Sequence, residues 1–139
     1  MKYAVKKHII CFLAVFLFAV SAAAQGDEVR FIDVDQYLAA KDNVMLLDVR
    51  SAKSRKLSRQ EIPGEIWLDP KNEEALDSFL KTADTEKAYV IFCSCPEDKY
   101  SIRIAQVLAD CNFEKVFVLK DGWDALRREE DIEKVNIEQ

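Results

Sequence analysis

The chain has 139 residues, 50% of them hydrophobic and 32% charged, with a formal net charge of −5. That length suits one domain with a single core. An acidic balance without a basic run argues against nucleic acid or an anionic membrane as partner.

Residues 1–24 read as a bacterial secretory signal peptide. Lys2, Lys6 and Lys7 form a positive segment, Ile9 to Val20 an apolar run, and Ser21-Ala22-Ala23-Ala24 a small-residue cleavage pattern. The run falls short of the ~20 residues that span a bilayer, so no stable membrane association is expected after cleavage. Cys11 lies inside the run rather than at the cleavage site, so a lipid anchor is not suggested. Cleavage removes 24 residues and three lysines, leaving a domain at 25–139 of 115 residues and net charge −8. The expected compartment is the periplasm, which is oxidising and permits disulfides.

The only histidine, His8, leaves with the signal. This excludes Cys-His and Ser-His catalysis and histidine metal ligands in the mature domain. Its glycines are Gly26, Gly64 and Gly122, too few and too scattered for a phosphate-cradling loop. No cofactor is expected. Cys93, Cys95 and Cys111 remain; an odd number leaves at least one thiol free or paired between molecules. A Cys-x-Cys pair plus a third thiol is a conceivable Cu(I) set, but zinc wants four ligands, and no metal site is assigned.

Val29 to Ile32 reads as a short strand, and Asp33 as the cap of a helix carrying Val34, Tyr37 and Leu38 on one face. Val44 to Val49 is a continuous apolar run, as in a strand buried on both faces. Ser51 to Gln60 reads as a loop or loose helix, Ile62-Pro63-Gly64 as a turn, and Glu65 to Leu68 as a short strand. Asp69-Pro70 is expected to open the next helix, with Ala75, Leu76, Phe79, Leu80 and Ala83 at helical spacing. Ala88 to Cys93 is a second buried strand and Ser101 to Asp110 a helix, ended by Asn112 in a left-handed conformation. Val116 to Leu119 is a third strand, Asp121-Gly122 a turn, and Trp123 to Arg128 the last helix. The charged tail 129–139 is expected to fray, with Ile132 and Val135 available to dock.

Strands alternating with helices imply an α/β domain with a mainly parallel sheet. Working groups in such sheets gather at the carboxyl ends of strands. Asp48, Arg50 and Cys93 all lie at such ends and are expected to face one another across one rim.

The chain resembles the rhodanese-like domain. The match is carried by Leu47-Asp48-Val49-Arg50, Ile62-Pro63-Gly64, Val90-Ile91-Phe92-Cys93 and Leu119-Lys120-Asp121-Gly122-Trp123, over residues 29–128. The resemblance implies a three-layer α/β fold, its central sheet flanked by helices, and sulfurtransferase chemistry at Cys93. Its substrate would be a small sulfur donor or thiol. The segment from Cys93 to Ser101 departs from the family pattern: it is two residues longer, lacks glycine, contains Pro96, and has Tyr100 where arginine is common. It resembles a longer Cys-Ser-Cys-Pro loop of some bacterial members. Counted back from Ser101, Cys95 stands at the family's usual spacing. Cys93 is the assigned nucleophile because it directly follows the strand.

In this reading the Cys93 thiolate takes the outer sulfur of a donor such as thiosulfate and holds it as a persulfide, which a thiol or cyanide then removes. Backbone N–H groups of the loop from Ser94 to Tyr100, Pro96 excepted, and the N-terminus of the helix from Ser101 stabilise the anions. Cys95 is open to three roles: resolving thiol, sulfur carrier, or bystander. A thiol–disulfide protein using both cysteines, and a non-catalytic binding module on the same fold, are the alternatives. Lys99 and Arg103 are the cations near the loop, while Glu97 and Asp98 oppose anion binding, so activity toward thiosulfate is expected to be weaker than a loop with glycine and arginine would give. Asp48 and Arg50 are assigned a supporting ion pair. Trp67 and Trp123 are assigned to the core, and Cys111 to packing. The sequence assigns no oligomeric state.

Overall fold

The computed structural model describes residues 28–137; the signal-peptide reading over 1–24 lies outside them. Five strands form one parallel sheet: β1 (Arg30–Ile32), β2 (Met45–Asp48), β4 (Ile66–Trp67), β5 (Ala88–Phe92) and β6 (Lys115–Leu119), in the order β1-β6-β5-β2-β4. The central strands are largely apolar, with Asp48 ending β2 and Lys115 opening β6, because both faces are covered. Successive side chains go to opposite faces. Tyr89, Ile91 and Cys93 join the core under α3 (Glu73–Thr82) and α4 (Lys99–Asp110), whereas Val90 and Phe92 join Tyr37, Trp123 and Leu126 under α1 (Val34–Ala40) and α5 (Gly122–Arg128). These are three layers, as the resemblance implied.

Local chemistry explains most element ends. Asp33 and Gln36 form a reciprocal capping box at the start of α1, each side chain accepting the other's backbone N–H, at 2.8 and 2.9 Å. Ser51 caps α2 (Ala52–Ser58), which resolves the expected loop or loose helix into a helix. Arg59 ends it at φ 57°, and Asn112 takes the expected left-handed conformation at φ 65°.

Two expectations are corrected. Asp69-Pro70 does not open α3: these residues form a turn, and the side chain of Asn72 caps the helix by accepting the Ala75 N–H at 3.0 Å. The tail does not simply fray. Val135–Asn136 is a strand, β7, antiparallel to β3 (Gln60–Glu61), and Ile132 is buried in the core cluster that holds Trp123 and Leu126 of α5. Among the described residues, no helix is long and apolar enough to cross a membrane.

Candidate functional site

Strand β5 ends at Phe92 and delivers Cys93 into the core, 1% exposed. The Cys93 carbonyl accepts the Trp123 N–H at 2.8 Å. That contact needs Gly122: a Cβ there would lie 2.1 Å from the Cys93 carbonyl oxygen, and the backbone φ is +36°. The chain then surfaces at Ser94, leaves Cys95 half-buried, and turns through Pro96–Asp98 into α4. Glu97 (φ 56°) and Asp98 (φ 53°) are both left-handed, although neither is glycine. Asp98 is held by its carboxylate, which accepts the Asp121 N–H at 3.1 Å. Burial pushes the Asp98 carboxyl above its ordinary range, with that hydrogen bond pulling the other way.

Cys95 Sγ accepts the Tyr100 N–H at 3.2 Å, so this sulfur sits at the N-terminus of a 12-residue helix. The sulfurs of Cys93 and Cys95 are joined as a disulfide, with Cα atoms 5.6 Å apart. In the same first turn of α4, the Ser101 hydroxyl is fully buried and has no hydrogen-bond partner among the described residues.

A cavity of about 260 Å3 opens over the loop, lined by Cys93, Ser94, Cys95, Pro96, Glu97, Asp98, Asp121, Asp124 and Arg128. Its cation is Arg128, whose Nε donates to the Asp124 carbonyl at 2.7 Å. Lys99 and Arg103 are exposed and do not line it. Tyr100 contributes its backbone N–H, while its ring packs against the α3/α4 side of the core. The sequence reading missed Asp121, Asp124 and Arg128. Their spacing, i, i+3, i+7, puts them on one helical face beginning at the Asp-Gly turn, but nothing in the sequence sets that face against the cysteines.

Asp48 and Arg50 do not face the thiol. Asp48 pairs in register with Phe92, so it shares that residue's face, and Cys93, one residue on, points to the other. Both charged side chains are wholly buried. The Arg50 guanidinium binds both Asp48 oxygens at 2.8–3.1 Å, Ser58 Oγ at 2.9 Å and the Gln60 carbonyl at 3.1 Å. It stacks 4.0 Å from the Trp123 ring centroid. The pair is therefore the anticipated support, tying the end of β2 to α2, β3 and α5, with no open face for substrate. Trp67 is not core: it is 44% exposed, donates to the Arg50 carbonyl at 3.0 Å, and carries Arg55 over its ring. Cys111 is exposed rather than packed.

Arg55 extends the network, reaching Asp48 at 3.0 Å and Glu65 at 2.9 Å. Burial and the nearby Asp48 carboxylate push Glu65 up to about 7 from 4.5, against the pull of Arg50 and the Ile62 N–H. A raised folded pKa favours the protonated form, so this contribution to stability is complete below about 4.5 and is lost as pH rises through about 7. Glu65→Gln mimics the protonated form. Thermal melts at pH 5 and 8 should show the wild type losing on the order of 2–3 kcal/mol relative to the variant across that window. Parallel melting curves for the two proteins would exclude the coupling.

A family model described as a rhodanese-like domain matches residues 26–129. Among solved structures, the chain is similar to the Alr3790 protein from Anabaena sp., at TM-score 0.62 and 17% identity over 76% of this chain and 82% of that one. A full-length protein from Lactobacillus plantarum gives TM-score 0.61 and 17% identity over 95% and 99% of the two chains. A variant of EanB in complex with hercynine gives TM-score 0.65 and 19% identity, over 84% of this chain and 30% of that larger one. At these identities the likeness carries the fold alone. No curated protein matches the chain in sequence.

Proposed function

Since the chain belongs to the rhodanese-like domain family, we propose that it is an exported sulfurtransferase that carries sulfane sulfur as a persulfide on Cys95. The observation that carries this reading is the hydrogen bond from the Tyr100 N–H to Cys95 Sγ at the start of α4. A sulfur anion there meets a backbone donor and the positive end of the helix dipole. Both cysteines line the cavity, but Cys95 is half-buried whereas Cys93 is 1% exposed. Cys95 also stands at the family's usual distance from Ser101. These points favour it over Cys93, the nucleophile expected from the strand end. The longer Cys-Ser-Cys-Pro loop is then an upstream extension that adds Cys93 beneath an otherwise ordinary spacing. Residues 1–24 support export to the periplasm.

The Cys95 thiolate attacks the outer sulfur of the donor, and the bond from that sulfur to the donor breaks. With thiosulfate the leaving group is sulfite. A thiol or cyanide then attacks the outer sulfur and regenerates the thiolate. The direct test is thiocyanate formation from thiosulfate and cyanide by the pre-reduced protein. Cys95→Ser should abolish it, whereas Cys93→Ser should retain it. The opposite pattern would return the role to Cys93, and no turnover with a range of sulfane donors would favour a binding module.

The cavity wall sets Glu97, Asp98, Asp121 and Asp124 against Arg128. This repels a dianionic donor at long range, so kcat/KM for thiosulfate should rise with salt, about two- to fivefold as the Debye length shortens from ~30 Å to ~8 Å. A fall with salt would mean that a cation dominates the approach. The Cys93–Cys95 bond favours a second reading, a thiol–disulfide protein, which requires both cysteines for turnover and no sulfur donor.

A further inference from the structure

We propose that Cys93 is a built-in acceptor, so that the protein releases donor sulfur as sulfide and finishes each cycle as the Cys93–Cys95 disulfide. The inference rests on Cys95 carrying the sulfur, and adds what happens next.

Three observations support it. The two sulfurs reach bonding contact within the folded loop, with no rearrangement of the sheet, and Cys93 is fixed by the grip of Trp123 and Gly122 on its carbonyl. Cys93 is 1% exposed and lies among apolar core residues of the α3/α4 face, which limits what its thiol can reach from solution. Its partner within the molecule is Cys95. The cavity above is small, about 260 Å3, and carries four carboxylates against one guanidinium, a poor berth for anionic acceptor thiols or cyanide. An internal thiol needs no berth.

The step balances. A Cys95 persulfide anion has an inner sulfur bonded to carbon and an outer sulfur bearing the charge. The Cys93 sulfur attacks the inner sulfur, forming the Cys93–Cys95 bond. The inner–outer sulfur bond breaks, and the outer sulfur leaves as hydrosulfide with the Cys93 proton. The sulfane sulfur is reduced by two electrons, and the two cysteines are oxidised by two. An external dithiol then reduces the disulfide by exchange and is itself oxidised. In this cycle the partner is a reductant, and the external sulfur acceptor is dispensable.

The experiment is a single turnover of the pre-reduced protein, freed of reductant, with thiosulfate and no other acceptor. Sulfite, sulfide and the peptide-mapped state of the cysteines are followed together. The wild type should release one sulfite and one sulfide per protein and end with Cys93 bonded to Cys95. Cys93→Ser and Cys93→Ala should release sulfite, keep the added sulfur on Cys95, and yield sulfide only when a dithiol is added. A wild type that instead accumulates a stable persulfide without sulfide would overturn the internal acceptor while leaving sulfur transfer intact. No sulfite from either the wild type or the Cys93 variants, with polysulfide equally inert, would overturn both.

Discussion

Replacing Gly122 with alanine is expected to cost the fold about 3 kcal/mol or more, and to take sulfur transfer with it. The new methyl would stand 2.1 Å from the Cys93 carbonyl oxygen, far inside contact distance. The obstacle is backbone on both sides, so no rotamer change relieves it. Either the β6–α5 turn lifts away or the end of β5 shifts, and both break the Trp123 N–H to Cys93 bond at 2.8 Å. The positive φ adds strain that glycine avoids. The adjoining Asp121 N–H holds Asp98, so a shifted turn also releases the loop that shapes the cavity. Urea unfolding of Gly122→Ala should show a lowered midpoint, and single-turnover assays a slowed sulfur loading. An unchanged midpoint would mean that the turn is looser than this packing implies.

Arg50→Ala should be the most damaging change away from the cysteines, at about 3–5 kcal/mol. It strips a wholly buried carboxylate, Asp48, of its bidentate partner, leaving it only Arg55 at 3.0 Å, and removes one donor each from Ser58 Oγ and the Gln60 carbonyl. It also removes the cation stacked on Trp123, whose backbone N–H holds the Cys93 carbonyl. Arg50→Lys should rescue little, because an ammonium cannot reproduce the planar fork. Pairing Arg50→Ala with Asp48→Leu should recover part of the loss, since the under-compensated buried carboxylate is then absent. If Arg50→Ala unfolds at the wild-type denaturant concentration, the network is not the support described here.

The sheet was legible because its strands are uninterrupted apolar runs, Met45 to Leu47 and Tyr89 to Phe92, closed by polar residues. Helix starts were less so. Asp69-Pro70 looks like an opening signal, yet the side chain that reaches the first free amides is Asn72. The tail's charge obscured a two-residue strand whose pairing with Gln60–Glu61 depends on long-range contact. At the site, the cysteines and the Asp48–Arg50 pair were visible as residues, but not which way they point. The parallel register of Asp48 with Phe92 decides that, and no spacing within one strand reveals it. The same limit hid the cavity wall. Asp121, Asp124 and Arg128 come from an element 28 or more residues after Cys93, and only the fold brings them over the thiols. Trp67 was assigned to the core, yet its edge-strand position leaves it exposed, and Cys111, assigned to packing from its place at a helix end, is exposed there.

The measurement that bears most directly on sulfur carriage is peptide-resolved mass spectrometry of two pre-reduced variants, Cys93→Ser and Cys95→Ser, after incubation with thiosulfate or polysulfide and an acid quench. The account requires one added sulfur atom on the Cys95 peptide of Cys93→Ser, removable by cyanide, and none on the corresponding peptide of Cys95→Ser. Loading of Cys95→Ser at Cys93, or of neither variant, would contradict it.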